Sequence, residues 1–199
     1  VEVCNCFIIA GAEFIFKGSI AYKQNYSFGS HINNFKIANF YGSIDNNEFF
    51  ILKRKNKVAK KQLNKVIYLS GTYDQNWYHW LIEILPKLFI IKEINNKLND
   101  YDVVISETIS RSPSHIESLK LFAAKYNLIT INPKYLYYAK QVLFVESPSI
   151  SNRARKKIFT HSLKDGNFYH GILKNYKQTI EKKLIKNKTP CSKNIYLYR

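Results

Sequence analysis

The 199-residue sequence has no methionine, no long apolar run and few acidic residues. Because residue 1 is not methionine and the chain stops within a strand-like run, we expect it to belong to a longer protein. Charged residues and Pro86 interrupt the most apolar region before it reaches the roughly 18 residues of a membrane-spanning helix. No glycine-rich phosphate loop occurs either. A membrane-spanning chain and a P-loop nucleotide-binding protein are therefore excluded.

Cysteine is also scarce, with Cys4, Cys6 and Cys191 the three positions. Three cysteines form neither an even disulfide set nor a zinc-binding spacing. Cys4 and Cys6 fall at like-facing positions of a predicted strand, which is poor geometry for a disulfide between them. We therefore expect reduced thiols and a cytoplasmic protein. Four further histidines lack metal-ligand spacing and are interpreted as structural or exposed: His31, His115, His161 and His170. We therefore expect neither a metal nor a cofactor.

The 14 acidic residues stand against 31 basic ones, which gives a formal net charge of +17. This imbalance suits three kinds of partner: nucleic acid, an anionic membrane surface or a phosphorylated substrate. Charge alone does not choose among them, because much of the lysine excess can be solvated surface.

The order of apolar runs predicts an α/β protein preceded by a short β-rich segment. Up to about residue 61, short apolar runs alternate with turn residues, as in antiparallel strands. A basic connecting stretch at residues 53–61 then marks the predicted boundary between a segment 1–61 and an α/β lobe 62–199. In that lobe strands and helices alternate, which favours a mainly parallel sheet. Strands are predicted at 65–70, 102–107, 128–131 and 135–145, and helices from 77, from 113 or 114, at 151–163 and at 176–188.

The helix that begins near residue 77 carries the strongest functional signal. His79, Glu83 and Lys87 recur every fourth residue and so form one polar stripe about 80° wide on a helix. An imidazole and a carboxylate one turn apart suit acid–base chemistry. An amphipathic helix with a Glu83–Lys87 ion pair and a surface histidine has the same spacing. Asp74 or Asn76 is positioned to cap the helix.

Positions 77 to 87, Trp-Tyr-His-Trp-Leu-Ile-Glu-Ile-Leu-Pro-Lys, resemble the "(N)YYHWL-(D/E)-LPR" signature of family-61 glycosyltransferases. Bacterial members of that family accompany capsule and lipopolysaccharide gene sets. The upstream strand, the Ser-Pro-Ser-His helix start at 112–115 and the run 195–199 lie where the family places similar segments. Two departures are Lys87 in place of the usual arginine, and Tyr198 where serine is more common.

The resemblance implies the Rossmann-like, acceptor-side N-terminal lobe of a two-lobed (GT-B) glycosyltransferase, with a donor lobe after residue 199. Such an enzyme moves a sugar, with inversion, from a nucleotide sugar to a glycan acceptor in surface polysaccharide synthesis. We expect the 199 residues alone to be inactive. The implied catalytic residues are Glu83, as the base, and His79, which either orients the acceptor or is itself the base. Implied acceptor contacts are Asp74, Asn76, Trp77, Tyr78 and Trp80, and implied donor-phosphate contacts are Arg199 and Lys87.

Two other functions compete with this interpretation. A basic nucleic-acid-binding module without catalysis would use the lysines and exposed tyrosines, but it leaves the helix at residue 77 unexplained, so we do not expect a nucleic-acid partner. A catalytically silent interaction protein is the third hypothesis. For the glycosyltransferase we expect a cytoplasmic location, with peripheral contact at the anionic inner face of the membrane as a further expectation.

Overall fold

The protein is described from a computed structural model. The structure describes most of the chain between residues 2 and 145, and one helix near the end. In full, the described residues are 2–12, 14–18, 20–23, 34–37, 40–45, 48–53, 60–71, 73–94, 98, 100–145 and 170–185.

The described strands form one mixed sheet, so the protein is of the α/β class as predicted. The sheet order is β4-β5-β6-β3-β2-β1-β10-β7-β8-β9. Strands β1 to β6 pair antiparallel with their neighbours, whereas β7 to β10 form a parallel block. The strands are β1 Glu2–Ile8, β2 Phe14–Lys17, β3 Ile20–Lys23, β4 Asn34–Ile37, β5 Phe40–Asp45, β6 Glu48–Lys53, β7 Lys60–Leu69, β8 Asp102–Ser106, β9 Leu128–Ile131 and β10 Leu136–Leu143.

The parallel block positions the candidate site. Strand β7 lies at its centre, with β8 and then β9 on one side and β10 on the other. If the four strands of the block are numbered by their order in the chain, they lie side by side in the order third (β9), second (β8), first (β7), fourth (β10). Residues 66 to 69 of β7 and 103 to 105 of β8 are buried, as expected for strands covered on both faces. The carboxyl ends of β7 and β8 lie side by side, and the polar loops that follow them meet there.

Helices cover one face of this block. The run that begins at residue 77 has three parts: α1 Trp77–His79, a π-helical turn Trp80–Ile84, and α2 Leu85–Ile94. The described residues form three more helices: α3 Glu107–Ser110, α4 Pro113–Ala123 and α5 His170–Ile185. Their apolar side chains form one core with the sheet, which includes Ile67, Leu69, Val103, Leu88 and Phe122. Among the described residues no helix is both long and apolar enough to cross a membrane.

The opposite face of the sheet has a second core, built mainly from strand side chains. Val66, Tyr68 and Val104 pack there with residues of β1 and β10. The hydroxyl of Tyr68 shares its one proton between the backbone carbonyls of Ile9 and Ala12, which are 2.6 Å and 2.9 Å from the hydroxyl oxygen. These bonds satisfy a buried polar group and fasten the turn after β1 to the centre of the sheet.

Most predicted elements of the parallel block are confirmed, with small changes at their ends. Ser112 is at the N-cap position of α4 without a capping side-chain hydrogen bond, and Pro113 is the first residue of the helix, which is the second of the two predicted starts. The division into 1–61 and 62–199 stays a prediction, although its position falls within β7. The helix predicted at 151–163 and the run 195–199 lie outside the described residues.

The prediction that Cys4 and Cys6 face the same way is wrong. Asn5, between them, has a φ of 55° and breaks the pleat of β1. As a result Cys4 is exposed and Cys6 is buried beside Val3, and both thiols are free.

Candidate active site at the carboxyl end of the parallel strands

A buried carboxylate joins the loops that follow β7 and β8. Asp74 is only 2% exposed. Its Oδ2 accepts a hydrogen bond from Ser70 Oγ, and its Oδ1 accepts one from Thr108 Oγ1, both at 2.8 Å. Ser106 Oγ and Thr108 Oγ1 lie 2.6 Å apart and extend this network along α3. Because buried carboxylates are stable only when hydrogen-bonded, the network holds the loop in one place.

The turn between Gly71 and Asn76 leads the chain from this carboxylate into the helix. The Asp74 N–H donates to the Gly71 carbonyl at 3.2 Å, and the Asn76 N–H donates to the Tyr73 carbonyl at 2.8 Å. Tyr73 itself has a φ of 64°, in the left-handed region. The side chain of Asn76 accepts from the Tyr78 N–H at 2.9 Å and so is the N-cap. The capping prediction is confirmed for Asn76, whereas Asp74 is an internal support.

His79 and Glu83 form a hydrogen-bonded pair on the outer side of the helix. His79 Nδ1 and Glu83 Oε2 are 2.8 Å apart, with side chains 28% and 15% exposed. An ionised carboxylate only accepts hydrogen bonds, so Nδ1 is the donor in this pair. In the neutral imidazole the lone pair is then on Nε2. The pair thus has the arrangement in which a carboxylate orients an imidazole that can take a proton.

Two exposed tyrosines flank the imidazole. The ring of Tyr73 stacks on His79 with centroids 5.6 Å apart and planes 30° apart. Tyr78 meets His79 edge-on, at 5.6 Å and 86°. The structure therefore surrounds a candidate base with aromatic surface that solvent reaches.

The π-helical turn changes the predicted polar stripe. In it the Leu85 N–H donates to the Trp80 carbonyl, five residues back. Pro86 follows directly and has no N–H, so it cannot make the α-helical bond to residue 82. Lys87 lies beyond this turn and is 1% exposed. The prediction of a single exposed polar stripe is therefore wrong at Lys87, because its side chain is enclosed, and its contact with a donor phosphate stays a prediction.

The two tryptophans pack inward around His115. Trp77 is half-buried and meets His115 edge-on at 5.0 Å, and Trp80 is completely buried at 5.2 Å from the same ring. Trp80 Nε1 donates to Ser118 Oγ at 2.7 Å, which satisfies its one polar atom. The prediction that Trp80 contacts an acceptor directly is corrected by this burial, because a residue of the core does not reach a ligand in solvent.

His115 occupies the space between the helix and α4. Its Nδ1 and Ser112 Oγ are 2.6 Å apart, while Nε2 has no hydrogen-bonding partner among the described residues. Burial lowers the pKa of His115 below its ordinary value, and the nearby charge of Asp74 opposes this shift. The imidazole therefore favours its neutral form in the folded protein.

Of the predicted site residues, the structure brings together His79, Glu83 and Tyr78 at the surface. Trp77, Trp80, Asp74 and Asn76 support them from beneath or beside, and Arg199 lies outside the described residues. Sequence reasoning missed Tyr73, Ser70 and Thr108 as parts of the site. The available signal was position, since Ser70 and Tyr73 belong to the loop that follows a predicted parallel strand.

One acidic motif lies away from this site. Asp100-Tyr101-Asp102 is the sequence's Asp-x-Asp triplet, and it precedes or begins β8, at the opposite end of the strand from Thr108. Asp100 pairs with Lys65 at 3.9 Å and Asp102 accepts from Asn127 at 3.0 Å. In the described part of the chain no three His, Cys, Asp or Glu side chains cluster as metal ligands do.

Comparisons of the chain with protein-family models, curated proteins and solved structures returned no match.

Proposed function

We propose that the protein takes part in sugar transfer from a nucleotide sugar to a hydroxyl group of a glycan acceptor, in surface polysaccharide synthesis. The observation that supports this best is the His79–Glu83 hydrogen bond of 2.8 Å between two exposed tyrosines. A transferase of this class must remove a proton from the acceptor hydroxyl as it attacks. A carboxylate-oriented imidazole within aromatic surface fits that requirement, and the signature at positions 77 to 87 is the independent argument from sequence.

In the proposed reaction His79 Nε2 is the base. The acceptor oxygen forms a bond to the anomeric carbon of the donor, the bond from that carbon to the diphosphate breaks, and the hydroxyl proton moves to Nε2. Glu83 holds Nδ1–H and stabilises the imidazolium that forms. Two geometric observations support His79 over Glu83 among the two sequence-based alternatives. The carboxylate of Glu83 is the less exposed group, and its Oε2 is engaged by the imidazole.

We further propose that the parallel block belongs to a Rossmann-like, acceptor-side lobe of a GT-B enzyme. The order third, second, first, fourth of β7 to β10 supports this, because it is the order of the first four strands of that fold. Ligands in such sheets collect where the order reverses, beyond the carboxyl ends of the first and fourth strands. The loop after β7, with Tyr73 and Asp74, follows the first of these strands.

The test measures nucleoside diphosphate release by the full-length protein, with a panel of nucleotide sugars and glycan acceptors. His79→Ala is expected to lower turnover by about 10²-fold or more, and added imidazole is expected to restore part of it. Glu83→Gln is expected to lower turnover as well, because an amide that donates to Nδ1 forces the wrong tautomer. Glu117→Gln, an exposed residue of α4, is the matched control and should keep normal turnover.

Circular dichroism of each variant must show an unchanged fold. If His79→Ala keeps turnover within twofold, His79 is not the base. If His79→Ala and Glu83→Gln both keep it, the pair has no catalytic role. Salt-sensitive retention of nucleic acid, without any sugar transfer, would favour the basic binding module instead.

A further inference from the structure

Two large apolar side chains stand out on the described surface, and both contact the same histidine. Tyr73 is 58% exposed and Tyr78 is 57% exposed, and they are the two exposed large apolar residues among those whose burial the structure describes. Exposed tyrosines that stood alone would need no explanation. Two that converge on a hydrogen-bonded imidazole form a surface that a ligand can cover.

Folding alone gives no reason for a tyrosine at position 73. Its φ of 64° lies in the left-handed region, which is strained for a residue with a Cβ and where glycine or asparagine is the usual choice. The side chain buries little surface to offset that strain, because more than half of the residue is exposed. Backbone strain of this kind is concentrated at ligand-binding sites.

The surrounding structure fixes this strained turn. The N–H groups of Asp74 and Asn76 close it on either side of Tyr73, and the Asp74 carboxylate is held by Ser70 and Thr108. The Tyr73 ring is thereby held in a stack on the His79 ring. A rigid aromatic surface loses little entropy when a ligand binds to it.

We infer that Tyr73 and Tyr78 form a subsite for a neutral pyranose ring of the glycan acceptor, with Tyr73 as the stacking platform. This inference rests on the proposed function and names the substrate class of the same site. A pyranose has a face of C–H groups and a rim of hydroxyls, so it matches an aromatic face bordered by polar groups. One face of the Tyr73 ring lies against the His79 ring, so the sugar stacks on the other face. The carboxylate of Glu83 disfavours an acidic sugar at this position by charge repulsion.

Three substitutions at position 73 separate stacking from other roles. Tyr73→Phe keeps the ring and removes the hydroxyl, and Tyr73→Leu keeps apolar bulk without an aromatic face. Tyr73→Asn suits the left-handed backbone but has neither an aromatic face nor apolar bulk. In the full-length protein we expect Tyr73→Leu and Tyr73→Asn to raise the acceptor KM about tenfold with kcat within about twofold. A tenfold rise in the acceptor KM corresponds to the loss of one well-packed aromatic contact. Tyr73→Phe, which keeps the ring, should raise the KM much less than Tyr73→Leu does.

Direct binding is measured on the same proteins by saturation-transfer NMR with neutral methyl glycosides. The unsubstituted protein and the Tyr73→Phe variant should give sugar C–H signals, and the Tyr73→Leu and Tyr73→Asn variants should give none. Uridine monophosphate and a short oligonucleotide serve as competing probes. Tyr73-dependent binding of either probe, with no sugar signal, would overturn the inference in favour of base stacking.

The outcomes also separate this inference from the proposed function. If Tyr73→Leu leaves the acceptor KM unchanged while His79→Ala abolishes transfer, the sugar subsite is wrong and the catalytic proposal stands. If no variant of either residue affects transfer, the proposed function itself fails. A fall in kcat with an unchanged KM in Tyr73→Leu would assign Tyr73 to positioning His79 and would also overturn the sugar platform.

Discussion

Thr108 donates a hydrogen bond to the buried carboxylate of Asp74 across 2.8 Å, and this bond joins the loop after β7 to α3 after β8. Ser70, at the end of β7, binds the other oxygen of the same carboxylate and also accepts from the Gly11 N–H at 2.8 Å. The side chains of Asp74 and Ser70 together therefore connect three segments that are distant in sequence. Tyr73 and the start of the helix with His79 depend on it for their position.

Asp74→Asn tests this connection. The amide accepts one hydroxyl bond but presents N–H groups where the second hydroxyl donates, so a buried polar group is left unsatisfied. We expect the free energy of unfolding to fall by about 1–3 kcal/mol. Urea unfolding followed by tryptophan fluorescence measures this change. The matched control is Asp102→Asn, whose bond to Asn127 is exposed, and a change of about 0.5 kcal/mol or less is expected there. Equal effects in the two variants would contradict the supporting role of Asp74.

The buried His115 predicts a dependence of stability on pH. Its pKa is lowered in the folded protein, chiefly by burial, from the ordinary value of 6.5. Between the folded pKa and 6.5 the unfolded chain binds more protons, so acid favours unfolding in that range. The stability contribution is complete above pH 6.5 and decreases, by up to about 1.4 kcal/mol per pH unit, as the pH falls below it.

The measurement compares the protein with His115→Phe in urea unfolding at several values between pH 5 and pH 7.5. The phenylalanine ring fills the space between Trp77 and Trp80 but cannot titrate. The difference in unfolding free energy between the two proteins should change below pH 6.5 and stay constant above it. Parallel curves over the whole range, or an NMR titration of His115 at or above 6.5, would show that burial does not control its charge.

The two cysteines of β1 should differ in reactivity. Burial, with a smaller contribution from Cys4, raises the pKa of the Cys6 thiol to about 12, and Cys4 is exposed. Because the thiolate is the reactive form, iodoacetamide at pH 8 should modify Cys4 in the native protein and leave Cys6 unmodified. Both should react in urea. Peptide mass spectrometry in a Cys191→Ser background identifies each position, and similar native labelling of Cys6 would contradict the packing of β1.

Local patterns in the sequence determined much of the parallel block. The strands β7, β8 and β9 follow from apolar runs between turn residues, and α4 follows from the Ser-Pro start. The cap at Asn76 and the His79–Glu83 contact also follow from local chemistry, because a cap lies next to its helix and residues four apart lie on one helical face. These features depend on neighbours within one turn of the chain.

Only the tertiary structure decided which polar residues are buried and which apolar residues are exposed. Asp74, Lys87 and Trp80 appeared as surface or ligand contacts in the sequence, but packing of the helix against the sheet and α4 encloses all three. The π-helical turn before Pro86 shifts the faces of the helix, so the spacing of an ideal helix fails at Lys87. Strand pairing was also decided only by the tertiary structure, since β1 pairs with β10 although most of the described chain separates them in the sequence. The spacing of apolar residues indicates which side of a helix or strand is apolar. The element that packs against that side is determined by the free energy of the whole packed core.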